Sequence, residues 1–268
     1  MSKTIHLLII DPQTDFCTPD CNLYVKGADK DMERLTAMIK GRKQTTFDRI
    51  HVTLDSHHLF DIAHPIYWKD SSGKHPDPFT IISADDVKNG KWTTSRPSLL
   101  KRSIKYVEAL EKSGRYPLCI WPPHCLIGSP GHTVQPELME ALMAWETENK
   151  YPINFVTKGS NLHTEHYSAV KAEVPDPTDP STQLNTALIS LLEEAGTVAI
   201  AGEAGSHCLA NTIRDIADGF QDQQAISKLV LLEDATSPVP SFEALQDAFI
   251  SDMKKKGMQV AKTTDFLT

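Results

Sequence analysis

"AIAGEAGSHCLANTIRDIADGF", residues 199–220, joins the end of an apolar run to the start of a helix. Ala199 to Ala201 close a run that opens at Thr197. Gly202 and Gly205 break it, and helical spacing of apolar residues begins just after Ser206. Strand, glycine turn and helix in that order are the unit of a parallel sheet. This places Cys208 in a first helical turn, where a side chain either fills space or meets a ligand.

Similar apolar runs lie at 5–10 (IHLLII), 49–54 (RIHVTL), 153–157 (INFVT), 228–232 (KLVLL) and, more weakly, 258–262 (MQVAK). Buried parallel strands read as continuous apolar runs rather than alternating ones. Between them, "DKDMERLTAMIKGRK" sets Met32, Leu35, Met38 and Ile39 on one helical face. Helices are also expected over 97–114, 136–150, 183–196 and 241–257, the last capped by Ser241. The alternation predicts an α/β fold with a parallel sheet covered by helices on both faces. There is no internal repeat and no linker, so 1–268 reads as one domain. The irregular stretch 61–95 reads as a loop insertion over the active site.

A formal charge of −8 argues against nucleic acid or an anionic membrane as the main partner. Five scattered cysteines, an odd number, do not form a disulfide framework and suit a reducing, cytoplasmic setting. The apolar run near the N-terminus, Leu7 to Ile10, is too short for a signal-peptide core or a membrane span.

Ligands of open parallel sheets bind beyond the carboxyl ends of the strands. The first polar residues there are Asp11, then Asp55 and His57, then Lys158, then Cys208. Each alone has a bland reading: a turn aspartate, a solvated lysine, a packed thiol. Together they supply nucleophilic chemistry. A helix N-terminus and a lysine stabilise a thiolate, a carboxylate takes up its proton, and N–H groups of the preceding bend hold an oxyanion. Residues i and i+2 of an extended chain share a face, so Asp55 and His57 can hold one metal while His58 turns away. His124 could complete that site and His64 could be a fourth ligand; such a set suits zinc first, then iron or manganese. With eleven histidines in the chain, D-x-H spacing alone decides nothing. "HTEHYSA" at 163–169 is a further pocket-lining stretch, and "GSPG" at 128–131 is no P-loop.

"LLIIDPQTDFC", "VTLDSHH", "WPPHCLIGSPGHTVQPEL", "KGSN" and "GEAGSHCLANTIRDIAD" occur in the order seen in the isochorismatase-like cysteine hydrolases, and the chain most resembles the nicotinamidases. The resemblance implies a Rossmann-like three-layer α/β/α fold with a six-stranded parallel sheet. It implies Asp11 as general base and acid, Lys158 as charged stabiliser and Cys208 as nucleophile. It further implies a metal on Asp55, His57 and His124, a pyridine ring sandwiched by Phe16 and Trp121, and an oxyanion hole from the N–H groups of Ala204 and Cys208. A non-proline cis bond would join Glu203 and Ala204, and homo-oligomers are common in the family. The chain departs from the family where Gly205 and Ser206 replace Thr-Asp.

The expected activity is metal-containing amide hydrolysis through a Cys thioester, with nicotinamide or a similar small amide as substrate. Competing readings are a hydrolase of the same fold acting on another amide or ureide, and a non-catalytic binding protein.

Overall fold

The computed structural model describes residues 4–41 and 46–266. Its strands are β1 (Ile5–Ile10), β2 (Arg49–Asp55), β3 (Trp68–Lys69), β4 (Ile81–Ile82), β5 (Thr93–Thr94), β6 (Leu118–Cys119), β7 (Asn154–Lys158), β8 (Thr197–Gly202), β9 (Leu229–Leu232) and β10 (Gln259–Ala261). Its α-helices are α1 (Thr14–Cys17), α2 (Ala28–Gly41), α3 (Ala84–Lys88), α4 (Leu100–Ser113), α5 (Pro136–Asn149), α6 (Thr186–Glu194), α7 (Cys208–Gly219) and α8 (Glu243–Lys255).

Six strands form one sheet in the order β10-β9-β8-β1-β2-β7, every pair parallel. This is the doubly covered sheet that the continuous apolar runs predict, because Leu7, Leu8, Ile9, Ile10, Val198, Ala199 and Ile200 are all fully buried. The register brings the strand ends level. Asp55 pairs with Lys158, and Ile10, just before Asp11, pairs with Gly202. Four polar strand exits are thereby gathered at one edge.

The helices follow the predicted faces. Met32, Leu35, Met38 and Ile39 of α2 are buried, and α4 ends at Gly114 in the left-handed conformation. Residues 42 and 43, the end of the helix expected over 29–43, lie outside the described residues. The start of α8 differs from expectation. Its cap position is Phe242, with no side-chain cap, and Ser241 sits at φ 73 with its N–H donating to Glu243 Oε1. Pro240 and the close packing of Phe242 on His207 override the serine's local preference.

The stretch 61–95 carries more structure than its composition suggests. β3 pairs with β5, β4 pairs with β6, and α3 opens with a capping box on Ser83. Ile62, Tyr67, Trp68 and Ile82 bury themselves with Val107 of α4 and Ile120 in a second apolar cluster. These elements hold the segment that runs into Trp121 and His124.

The "DPQTDF" turn after β1 is fastened twice. The Gln13 side chain accepts from Asp55 N–H and donates to Asp55 C=O, both at 2.7 Å, tying the ends of β1 and β2 as a third strand would. Asp15 Oδ2 accepts from Cys125 N–H at 2.7 Å. A Cβ at Gly131 would run into the Asp15 carboxylate, which explains the second glycine of "GSPG". Gly131→Ala is therefore expected to lower stability by roughly 1–3 kcal/mol, read by denaturant unfolding. A neutral result would mean the Asp15 bridge is not rigid.

Candidate active site

Asp11, Lys158 and Cys208 come together at the sheet edge. Lys158 Nζ lies 2.9 Å from Asp11 Oδ2, 3.0 Å from Asp55 Oδ1 and 3.6 Å from Cys208 Sγ. It also donates to the His166 C=O at 2.9 Å. Asp11 is held on its other side by Thr53 Oγ1 at 2.5 Å and sits at φ 42. All three side chains are almost wholly buried, and the Asp11 carboxyl is within hydrogen-bond reach of the Cys208 thiol.

Burial pushes the Cys208 thiol well above its ordinary value; Lys158 pulls it down, but Asp11 and Asp55 push it up further. Asp11 stands beside the thiol, placed to accept its proton. Burial also raises Asp11, against the pull of Lys158. Lys158 stays charged: burial opposes the charge, and Asp11 and Asp55 together overcome it.

A second cluster shares Asp55. Its Oδ2 lies 3.1 Å from His57 Nε2 and 3.6 Å from His124 Nε2. One ligand atom from each of Asp55, His57 and His124 falls within 4.8 Å of the others. The outer nitrogens explain the arrangement. His57 Nδ1 faces Asp61 Oδ2 at 3.1 Å, His124 Nδ1 faces the Pro122 C=O at 2.8 Å, and His64 Nδ1 faces the His58 C=O at 3.1 Å. Each of those partners accepts, so each Nδ1 carries a proton and each Nε2 is the atom left to meet a cation; without one, burial lowers the His57 imidazole but Asp55 and Asp61 together hold it well above its ordinary value. His64 Nε2 is buried with no hydrogen-bond partner among the described residues. The residues fit a divalent cation. His64 stands beside them, its ring 5.2 Å from His57 and 5.5 Å from His124, but outside the tight three-residue group. His58 is exposed.

Cys208 lies at the wall of a small, largely apolar cavity. Phe16, Trp121, Tyr167, His207 and Val239 line it, with Asp55 and His124 on the side of the second cluster. From "HTEHYSA", Glu165 and Tyr167 reach the cavity; His163 instead approaches Tyr67 on the outside, at 3.5 Å. The Ala204 and Cys208 N–H groups have no acceptor among the described residues. The Glu203–Ala204 bond is cis.

Sequence reasoning passed over His207 and reached Tyr167 only as one residue of the pocket-lining stretch 163–169. His207 is fixed by Ser206, whose Oγ accepts from Val239 N–H at 3.0 Å and lies 2.8 Å from His207 Nδ1. Ser206 thus ties the His207 ring to the Val239 backbone. Burial holds this imidazole neutral, down to about 4. The signal was present at Ser206, where the family pattern breaks, but its partner Val239 lies 33 residues on.

Neither a protein-family model nor a curated protein sequence matches this chain. Solved structures do, and they show its fold: a three-layer isochorismatase-like α/β/α fold. The yeast nicotinamidase covers 96% of this chain and 99% of its own at 18% identity, with a TM-score of 0.66. It has also been solved with the inhibitor nicotinaldehyde. A Pyrococcus horikoshii pyrazinamidase in complex with zinc matches at 18% identity over 96% of this chain and 98% of its own, TM-score 0.55. An isochorismatase family protein from Desulfovibrio vulgaris matches at 16% identity over 98% and 96%, TM-score 0.52.

Proposed function

We propose that this protein is a metal-containing cysteine amidohydrolase that converts nicotinamide, or a similarly flat small aromatic amide, to the carboxylate and ammonia. The observation that carries the reading is the buried thiol of Cys208 within reach of both Asp11 and Lys158, at the wall of an aromatic cavity. The shared fold of nicotinamidases supports it. So does the aldehyde inhibitor of the yeast enzyme, since aldehydes are electrophiles to which thiols add.

In this mechanism Phe16 and Trp121 hold the ring, and Asp11 takes the thiol proton as Cys208 Sγ attacks the amide carbon. The Ala204 and Cys208 N–H groups receive the oxyanion. Asp11 returns the proton to nitrogen, ammonia leaves, and a thioester remains. Asp11 then draws a proton from water, which attacks the thioester and frees the carboxylate and the thiol. Lys158 holds Asp11 in place and favours its ionised form before each proton uptake. A divalent ion on Asp55, His57 and His124, with His64 as a possible fourth ligand, would supply a Lewis acid beside the ring nitrogen; zinc is first choice. The five thiols, none in a disulfide, accord with a cytoplasmic location. No helix among the described residues is long and apolar enough to cross a membrane.

Ammonia release from nicotinamide tests the activity, with benzamide as the control lacking a ring nitrogen; no release from either overturns the reading. Metal content tests the second cluster. Asp61→Ala removes the acceptor for His57 Nδ1–H and is expected to weaken binding about 10- to 100-fold. Unchanged metal affinity would place the ion elsewhere.

A further inference from the structure

Glu203 precedes the proposed oxyanion donor Ala204 and is wholly buried, yet no basic side chain reaches it. Its Oε2 accepts from the Ser237 N–H at 3.1 Å, while Oε1 has no donor. Its neighbour is a second buried carboxyl, Asp31 of α2, within hydrogen-bond reach. Asp31 Oδ2 accepts from Ser237 Oγ at 2.5 Å, and its Oδ1 lies 3.6 Å from Arg34. Two carboxyl groups in one dry site cannot both ionise at modest cost, and a proton between them satisfies both. Arg34 assigns the negative charge to Asp31 and leaves the proton to Glu203.

The pair sits in a seam. Gly202 N–H donates to the Ala235 C=O and Gly205 N–H to the Ser237 C=O, both at 2.9 Å, and Val239 N–H donates to Ser206 Oγ. The 202–206 turn is thus stitched to 235–239, and only at Glu203 does the stitch depend on an ionisable side chain. We propose that Glu203 is a positioning residue that acts as a neutral carboxylic acid, bridging Asp31 and Ser237 so that the Ala204 N–H stays aimed at the carbon attacked by Cys208.

The acid form also follows from the surroundings. Burial raises Glu203 well above the usual carboxylate range, and Asp31 raises it further. Facing the pair are Cys17 of α1, Asp29 and Arg34 of α2, and Asp234 of the following segment. Arg34 is the one cation in that set. A group whose folded-state value is raised gives its full support at low pH and loses it as pH rises through that value. The seam is therefore expected to loosen on the alkaline side.

The inference rests on the amidohydrolase reading, so its test includes readouts that do not need nicotinamide. Glu203→Gln, the neutral isostere, is expected to keep kcat within about threefold and to lose the alkaline decline. Glu203→Ala, which opens the seam, is expected to lose about 10²-fold in kcat with KM little changed, the scale of one lost oxyanion donor. Acylation of Cys208 by p-nitrophenyl acetate, read by mass spectrometry, should follow the same order even if nicotinamide is not the substrate. Infrared difference spectra at neutral pH should show one carboxylic-acid carbonyl band in the wild type that Glu203→Gln lacks. That band can be read even if Glu203→Ala fails to fold. The proposal is overturned if no such band is lost, if Glu203→Gln is as impaired as Glu203→Ala, or if Glu203→Ala acylates at the wild-type rate.

Discussion

Cys208→Ala is expected to release no measurable ammonia from nicotinamide, a loss of about 10⁴-fold or more. The argument is geometric. No other thiol lines the cavity, and Sγ is the one nucleophilic atom there with both a proton acceptor, Asp11, and a cation, Lys158, in reach. The variant should fold and bind its metal as the wild type does, because the truncation removes one atom facing a cavity. Cys21→Ser, at a partly exposed thiol away from the cavity, serves as the control and should remain active. Retention of more than about 1% of activity by Cys208→Ala would remove the thioester from the mechanism.

The second large effect concerns stability as much as rate. Lys158→Met leaves Asp11 and Asp55 buried without their shared cation, and removing one partner of a buried charge cluster typically costs about 3–5 kcal/mol. At roughly 2–4 °C per kcal/mol for a chain of this size, the melting temperature should fall by about 10 °C. Activity should vanish with it, since an unpaired Asp11 protonates and no longer accepts from sulfur. Adding Asp11→Asn should recover part of the stability and none of the activity. A thermal scan of single and double variants reads both; a Lys158→Met protein as stable as the wild type would mean that water reaches the cluster.

The fold was legible because each central strand is a continuous apolar run ending in a polar residue, as "IHLLIID" and "TVAIAGE" show. The same ends marked Asp11, Asp55, Lys158 and Cys208, which the register then brings level. What escaped was set by partners far along the chain. Gln13 looks like any turn residue until its bonds to the Asp55 backbone, 42 positions away, are seen. Asp31 and Glu203 are 172 positions apart (203 − 31) and become one acid pair only when α2 packs against the turn after β8. Ser241 failed as a cap because tertiary packing decided where α8 begins.

Asp55 binds Lys158 through one oxygen and faces both histidines through the other. The thiol chemistry and the cation cluster are consequently not modular. On the proposed function, anyone redesigning this scaffold for a metal-free reaction must change Asp55 and so disturb the lysine beside the proposed nucleophile. The opposite choice, a new metal with different geometry, turns the same carboxylate and moves the lysine's anchor. Evolution or engineering can exchange the aromatic walls one at a time, but these two halves must be exchanged together.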